Sequence, residues 1–255
     1  MTQSERRLWL IEDLLKERGE SLLPPSGERE QKRLLRALFN IRPPKPASRE
    51  FLEVQDAYLQ ESIREKGVTD EKDIPFLRGR LSLWKGDIVT LACDAVVNAA
   101  NSAMLGCFCP NHGCIDNAIH TFAGVQLRLA CARVMNEQGH EEKTGGAKIT
   151  PAFNLPSRFV IHTVGPIVRG ALTAKDTEEL VSCYSSCLAL AEKHGVETLA
   201  FCCISTGEFH FPPQQAAETA VSVATAYLSE HPSIKKVIFN VFKDSDAQIY
   251  RRLLR

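Results

Sequence analysis

The chain has 255 residues, 44% of them hydrophobic, with 31 Lys plus Arg balanced by 31 Asp plus Glu. That length suits one large domain or a medium domain with an accessory piece, and the neutral balance excludes nucleic-acid or membrane adhesion driven by bulk charge. No apolar run reaches the length of a membrane span and Met1-Thr2-Gln3-Ser4-Glu5-Arg6-Arg7 lacks the apolar stretch of a signal peptide, so a cytoplasmic protein with reduced thiols is expected.

Leu8, Leu10, Ile11, Leu14 and Leu15 recur at helical spacing, as do Leu34, Leu35, Leu38 and Phe39, and a third such pattern runs from Phe51 to Ile63. Pro24-Pro25-Ser26-Gly27 and Pro43-Pro44-Lys45-Pro46 separate these pieces, and Ser48 is placed to cap the third helix. Residues 1–75 are therefore expected to form a small helical N-terminal extension with solvated charged faces, ahead of a main domain at 76–255.

From about residue 80, β-rich runs alternate with helical ones. Strands are expected at 81–84, 95–98, 159–163, 199–204 and 237–241, and helices at 115–136, 177–193, 214–229 and 247–254. Gly195 suits the end of the second of these helices, and Pro212 and Pro213 suit the start of the third. Strands interleaved with helices imply an α/β fold with a mostly parallel sheet covered on both faces. Ligands on such folds bind at the carboxyl ends of strands.

Two loops at strand-to-helix junctions carry chemistry. The first contains Cys107-Phe108-Cys109-Pro110-Asn111-His112-Gly113-Cys114-Ile115-Asp116. Thiolates and imidazole hold zinc, and a site with three protein ligands leaves a fourth position for water or substrate. Asp116 falls at a helix N-terminus, where a carboxylate either complements the helix dipole or serves the neighbouring chemistry. The second loop, Ser205-Thr206-Gly207-Glu208-Phe209, follows a buried strand and precedes a helix. It reads as a plain tight turn or as an exposed row of backbone N–H groups that bind phosphate. Cys183, Cys187 and Cys202 read as small buried hydrophobes and His162 as a core histidine, while His120 and His210 flank the site.

Four ordered motifs now carry a resemblance: Trp84-Lys85-Gly86-Asp87-Ile88-Val89, Val96-Val97-Asn98-Ala99-Ala100-Asn101, Ile161-His162-Thr163-Val164-Gly165-Pro166 and Ile204-Ser205-Thr206-Gly207. Together they resemble the macrodomain family over residues 80–255. The resemblance implies a three-layer α/β/α sandwich with a mixed, mostly parallel sheet, and binding of ADP-ribose. The Cys/His run departs from the usual glycine-rich stretch. It resembles, with the helical extension, a zinc-dependent branch linked to sirtuin-like ADP-ribosyltransferases. That likeness implies a hydrolase that removes mono-ADP-ribose from Asp or Glu side chains of proteins, with a lipoyl-carrier protein as substrate. It also implies Zn2+ on Cys107, His112 and Cys114, with Asp116 and Asn101 as catalytic residues. ADP-ribose contacts are implied at Asp87, Ile88, Asn101, Cys114, Ile115, Asp116, Ser205, Thr206, Gly207, Glu208 and Phe209. The alternative is a non-catalytic ADP-ribose reader whose zinc is structural.

Overall fold

A computed structural model describes residues 1–255. The chain opens with three helices, α1 (Gln3–Glu17), α2 (Glu28–Ile41) and α3 (Arg49–Lys66). Each start has a physical reason. Thr2 and Glu5 form a reciprocal capping box on α1, Ser48 accepts the Phe51 N–H on α3, and α2 follows the Pro-Pro-Ser-Gly break. Leu10, Ile11, Leu14 and Leu15 of α1 meet Leu35, Leu38 and Phe39 of α2 and Phe51 and Leu59 of α3 in a small core that also takes in Val125.

The remainder runs β1 (Thr69–Asp70), β2 (Phe76–Arg78), β3 (Leu81–Lys85), β4 (Leu91–Ala92), β5 (Ala95–Ala100), α4 (Ile115–Ala123), α5 (Val125–Gln138), β6 (Ala147–Pro151), β7 (Phe159–Val164), α6 (Ala174–Lys193), β8 (Thr198–Phe201), α7 (Pro213–Glu230), β9 (Lys236–Val241) and α8 (Asp244–Leu253). Seven strands form one sheet in the order β2-β3-β9-β8-β5-β7-β6, and β1 pairs with β4 in a separate two-stranded ladder. The five inner strands are parallel, and the edges β2 and β6 are antiparallel. Helices α6, α7 and α8 pack side by side as one layer, while α4 and α5 lie against β5 and β6 and are backed by α2 and α3. The inner strands are buried runs such as Ala95-Val96-Val97 and Val237-Ile238-Phe239, as strands covered on both faces must be. No helix is long and apolar enough to cross a membrane.

Two sequence expectations need correction. The helix expected over 115–136 breaks at Gly124, whose φ of 96° only glycine adopts without strain. Gln55 of α3 plugs that break by accepting the Val125 N–H at 2.9 Å and donating to Gln126 at 2.7 Å. The strand expected over 199–204 stops at Phe201, because residues 202–204 turn to present Ser205 at φ 63°. Strand β6 lacked an expectation; it ends in Pro151, which an edge strand tolerates.

His162 lies in the core, as expected, within reach of Thr150 Oγ1 at 3.0 Å and Asn98 Nδ2 at 3.2 Å. Burial pushes its pKa down to about 4. The unfolded chain takes up this proton below the ordinary value near 6.5, whereas the folded chain refuses it until about 4. The histidine's contribution is therefore present above about 6.5 and is lost as pH falls toward 4, roughly 2 kcal/mol being gone at pH 5. Urea unfolding of the wild type and His162→Gln at pH 7 and pH 5 should show the stability difference between them shrinking by that amount.

Candidate active site

Because β3, β9, β8, β5 and β7 run parallel, their carboxyl ends share one edge of the sheet. The segments that leave this edge hold nearly every residue singled out by sequence. Asp87 and Ile88 follow β3, Asn101 follows β5, Gly165 follows β7, and Ser205 to Phe209 follow β8.

The Cys/His run folds back over the start of α4. One ligand atom each from Cys107, His112 and Cys114 lies within 4.8 Å of the others. All three residues are half-buried, and His112 Nδ1 is enclosed without a hydrogen-bond partner. Cys114 is the N-cap of α4, its sulfur accepting the Asn117 N–H at 3.4 Å. Burial pushes the Cys114 thiol up to about 12, and the neighbouring Cys107 and Asp116 push the same way against the Asn117 N–H. Such a thiol ionises at neutral pH only with a cation beside it. Two sulfurs and an orphaned imidazole nitrogen are a donor set that fits zinc. Cys109 is exposed, and its part here is its carbonyl, which accepts from Asn117 Nδ2 at 3.0 Å.

Asp116 is buried in the first turn of α4. Asn98 Nδ2 donates to Asp116 Oδ1 at 2.7 Å, and Asn101 Nδ2 stands 3.5 Å from Oδ2 and 3.2 Å from the Gly106 carbonyl. Burial raises its pKa to about 6, with the Asn98 donor and the Arg128 charge opposing. Beneath it lies a second convergent group, His120, Cys131 and His162, also within 4.8 Å of one another and wholly buried. His120 Nε2 is 3.6 Å from Asp116 Oδ1, and burial holds this histidine well below its usual pKa. Burial also lifts the Cys131 thiol to about 12, so these three side chains form a neutral polar floor under the carboxylate.

The β8 loop faces this group. Ser205 has φ 63°, and the N–H groups of Gly207, Glu208 and Phe209 have no backbone acceptor. Glu208 Oε1 approaches His112 Nε2 to 3.7 Å, which joins the two loops. Gly165 makes this possible, since a Cβ there would sit 2.0 Å from Ser205 Oγ and 2.9 Å from Ile204 Cγ2. Gly165→Ala is therefore expected to displace the loop, at an overpacking cost of about 1–3 kcal/mol. Thermal melting should register that loss and calorimetry a weaker ADP-ribose affinity.

At the opposite end, Asp87 caps a short turn and accepts from Val89 N at 3.3 Å and from Lys66 Nζ at 2.7 Å. The same ammonium lies 4.7 Å from the centre of the Phe122 ring. Phe242, 76% exposed just after β9, stands beside Gly86 and Asp87 because Lys85 and Val241 are in register. An exposed aromatic residue and a carboxylate on adjoining segments of this edge offer a stacking face and a hydrogen-bond acceptor for a flat amino heterocycle. Sequence reading passed over Phe242, Lys66, Gly165 and the Asn98 contact. The motifs contained Asn98 and Gly165, but nothing local marked which residues they would touch.

Comparisons with known proteins give the family of the chain. Residues 97–220 match the Macro domain family. The chain is 55% identical over 260 residues to a protein-ADP-ribose hydrolase of Treponema medium, covering 100% of both chains. It is 49% identical to a protein-ADP-ribose hydrolase of Staphylococcus aureus strain MSSA476, over 95% of this chain and 92% of that one. Among solved structures, an Oceanobacillus iheyensis macrodomain variant with ADPR superposes with a TM-score of 0.63 at 36% identity, over 68% of this chain and 91% of that one. A Trypanosoma brucei macrodomain in complex with ADP-ribose gives a TM-score of 0.67 at 26% identity, over 86% and 95%.

Proposed function

Because the chain belongs to the macrodomain family, we propose that it is a hydrolase that removes mono-ADP-ribose from Asp or Glu side chains of modified proteins, with zinc held by Cys107, His112 and Cys114. The observation that carries the reading is the convergence of those three side chains beside the buried Asp116, at the strand edge where the β8 loop leaves the N–H groups of Gly207, Glu208 and Phe209 without backbone acceptors. Bound there, zinc would supply Lewis acidity toward a substrate oxygen or a water of lowered pKa.

The protein's own groups divide the remaining work. Asp87 accepts a hydrogen bond from the adenine amino group while Phe242 covers the ring, and Lys66 yields or shares the carboxylate. Gly207, Glu208 and Phe209 donate N–H groups to the diphosphate, helped by the N-terminus of α4 at Cys114 and Ile115. Asn101 orients a hydroxyl of the distal ribose and Asp116 at the same time. With a pKa near 6, Asp116 is ionised at pH 7 and accepts the proton of the attacking water. The water oxygen bonds to the anomeric carbon as the bond to the side-chain carboxylate breaks, leaving ADP-ribose and the ionised side chain, and Asp116 then returns its proton to solvent. Asn98 fixes one oxygen of Asp116, so the other is directed toward substrate.

The test is release of ADP-ribose from a purified mono-ADP-ribosylated protein by the native enzyme, the chelated enzyme and the zinc-restored enzyme. Loss and recovery of turnover support the reading. Full turnover in a demonstrably metal-free preparation overturns the metal, and binding of ADP-ribose with no release in any state identifies a reader. Substrates modified on Glu, Ser or Arg then decide the linkage. On the same reading the natural substrate is a lipoyl-carrier protein modified by a sirtuin-like transferase, which assays on that carrier address directly.

A further inference from the structure

The N-terminal helices do more than shield α4. Helix α2 buries Leu35, Leu38 and Phe39 in the small core it shares with α1 and α3, and this orientation turns Arg36 and Asn40, one helical turn apart, toward the Cys/His loop. Arg36 Nη2 donates to the His112 carbonyl at 2.9 Å and to Asn117 Oδ1 at 2.8 Å, and Nε reaches the same Asn117 oxygen at 3.2 Å. Asn117 is the hub under the loop. Its amide nitrogen donates to the Cys109 carbonyl at 3.0 Å and its backbone N–H meets Cys114 Sγ at 3.4 Å. Asn40 accepts the N–H of Asn111 at 2.9 Å, where the loop passes through a left-handed φ of 57° that asparagine adopts more readily than other non-glycine residues. Asn40 also donates to Thr121, which donates in turn to the Asn117 carbonyl.

We propose that α2 is a positioning element for the metal cage, with Arg36 as its principal residue and Asn40 as the second. The inference rests on the metal reading given above. Between Cys107 and Cys114 the loop has neither helix nor strand and one internal backbone bond, from the His112 N–H to the Cys109 carbonyl at 3.2 Å, so that turn is held in place from outside, at Cys109, Asn111, His112 and Cys114. Arg36 forms no ion pair with a carboxylate, and its planar fork is spent on one carbonyl and one amide that flank two of the three ligands. A lysine at this position keeps the charge but not the two-pronged geometry.

The experiment measures the zinc dissociation constant of the full chain by competition with a colorimetric chelator, for wild type, Arg36→Lys, Arg36→Ala and Asn40→Ala. Partners that orient metal ligands are worth roughly 10- to 100-fold in affinity, so Arg36→Lys should weaken zinc binding by that factor. Its turnover should recover as free zinc is raised, a rescue that a merely destabilised fold does not show. Should Arg36→Ala fail to fold, Arg36→Lys and Asn40→Ala decide the matter. Zinc affinity equal to wild type in the folded variants, with only the melting temperature lowered, overturns the positioning role. A wild-type chain that binds no zinc overturns the metal reading and this inference with it.

Discussion

Cys114→Ser is expected to cut release of ADP-ribose from a modified protein by at least about 10³-fold, roughly 4 kcal/mol of transition-state stabilisation, while leaving ADP-ribose binding measurable by calorimetry. The substitution separates two roles of one side chain. Cys114 caps α4 through its sulfur, and replacing an N-cap by alanine costs about 1 kcal/mol of stability for reasons unrelated to chemistry. A serine hydroxyl is the better cap and a poor zinc ligand, so the variant folds while the donor set drops from two sulfurs to one. Alanine at the same position should lose activity equally and melt lower. Wild-type turnover in the serine variant would sink the metal reading.

The second large effect is at Asp116. Its carboxylate is buried and its pKa is raised to about 6, so at pH 7 the folded chain keeps an ion in a place that penalises it. A shift from the ordinary value of about 3.8 to about 6 corresponds to about 3 kcal/mol. The sign follows from linkage. The folded state holds this proton more tightly than the unfolded one, so the group's contribution is present below about 3.8 and is lost as pH rises through about 6. Asp116→Asn removes the penalty and can still hydrogen-bond Asn98. With both chains stripped of metal it should therefore melt higher than wild type at pH 7, while the kcat of the loaded variant falls by roughly 10²- to 10⁴-fold, the usual worth of a positioned general base. Gain of stability with loss of rate marks a residue kept for chemistry at the expense of the fold. Unchanged kcat in the asparagine variant would remove Asp116 from the mechanism and leave it as a helix N-terminal carboxylate.

Much of the architecture was legible because it is written in short-range patterns. The apolar repeats of α1, α2 and α3, the Ser48 cap and the buried runs of β5, β7, β8 and β9 each span a few residues, and local propensity and periodicity report on that scale. The Cys107–His112–Cys114 group was legible for the same reason. Its members lie on one loop, so proximity in sequence nearly guarantees proximity in space. Gly124 was passed over because a lone glycine is tolerated inside a helical pattern, and the side chain that fills the break, Gln55, enters from the distant α3. Strand β6 was missed because an edge strand, half exposed, carries no long apolar run.

The residues themselves thus determined an α/β chain with helices at its start, two junction loops and a run of three convergent Cys and His side chains, since each depends on neighbours a turn or two away. Only the tertiary structure decided that β3 and β9 are neighbours, which puts Phe242 beside Asp87. It also decided that Glu208 meets His112, that Gly165 must lack a side chain under Ser205, and that Arg36 reaches the His112 carbonyl from α2. Strand order and helix docking are set by which large apolar faces can be buried together. The polar contacts they bring about join residues far apart in the chain, where no period or turn signal connects them.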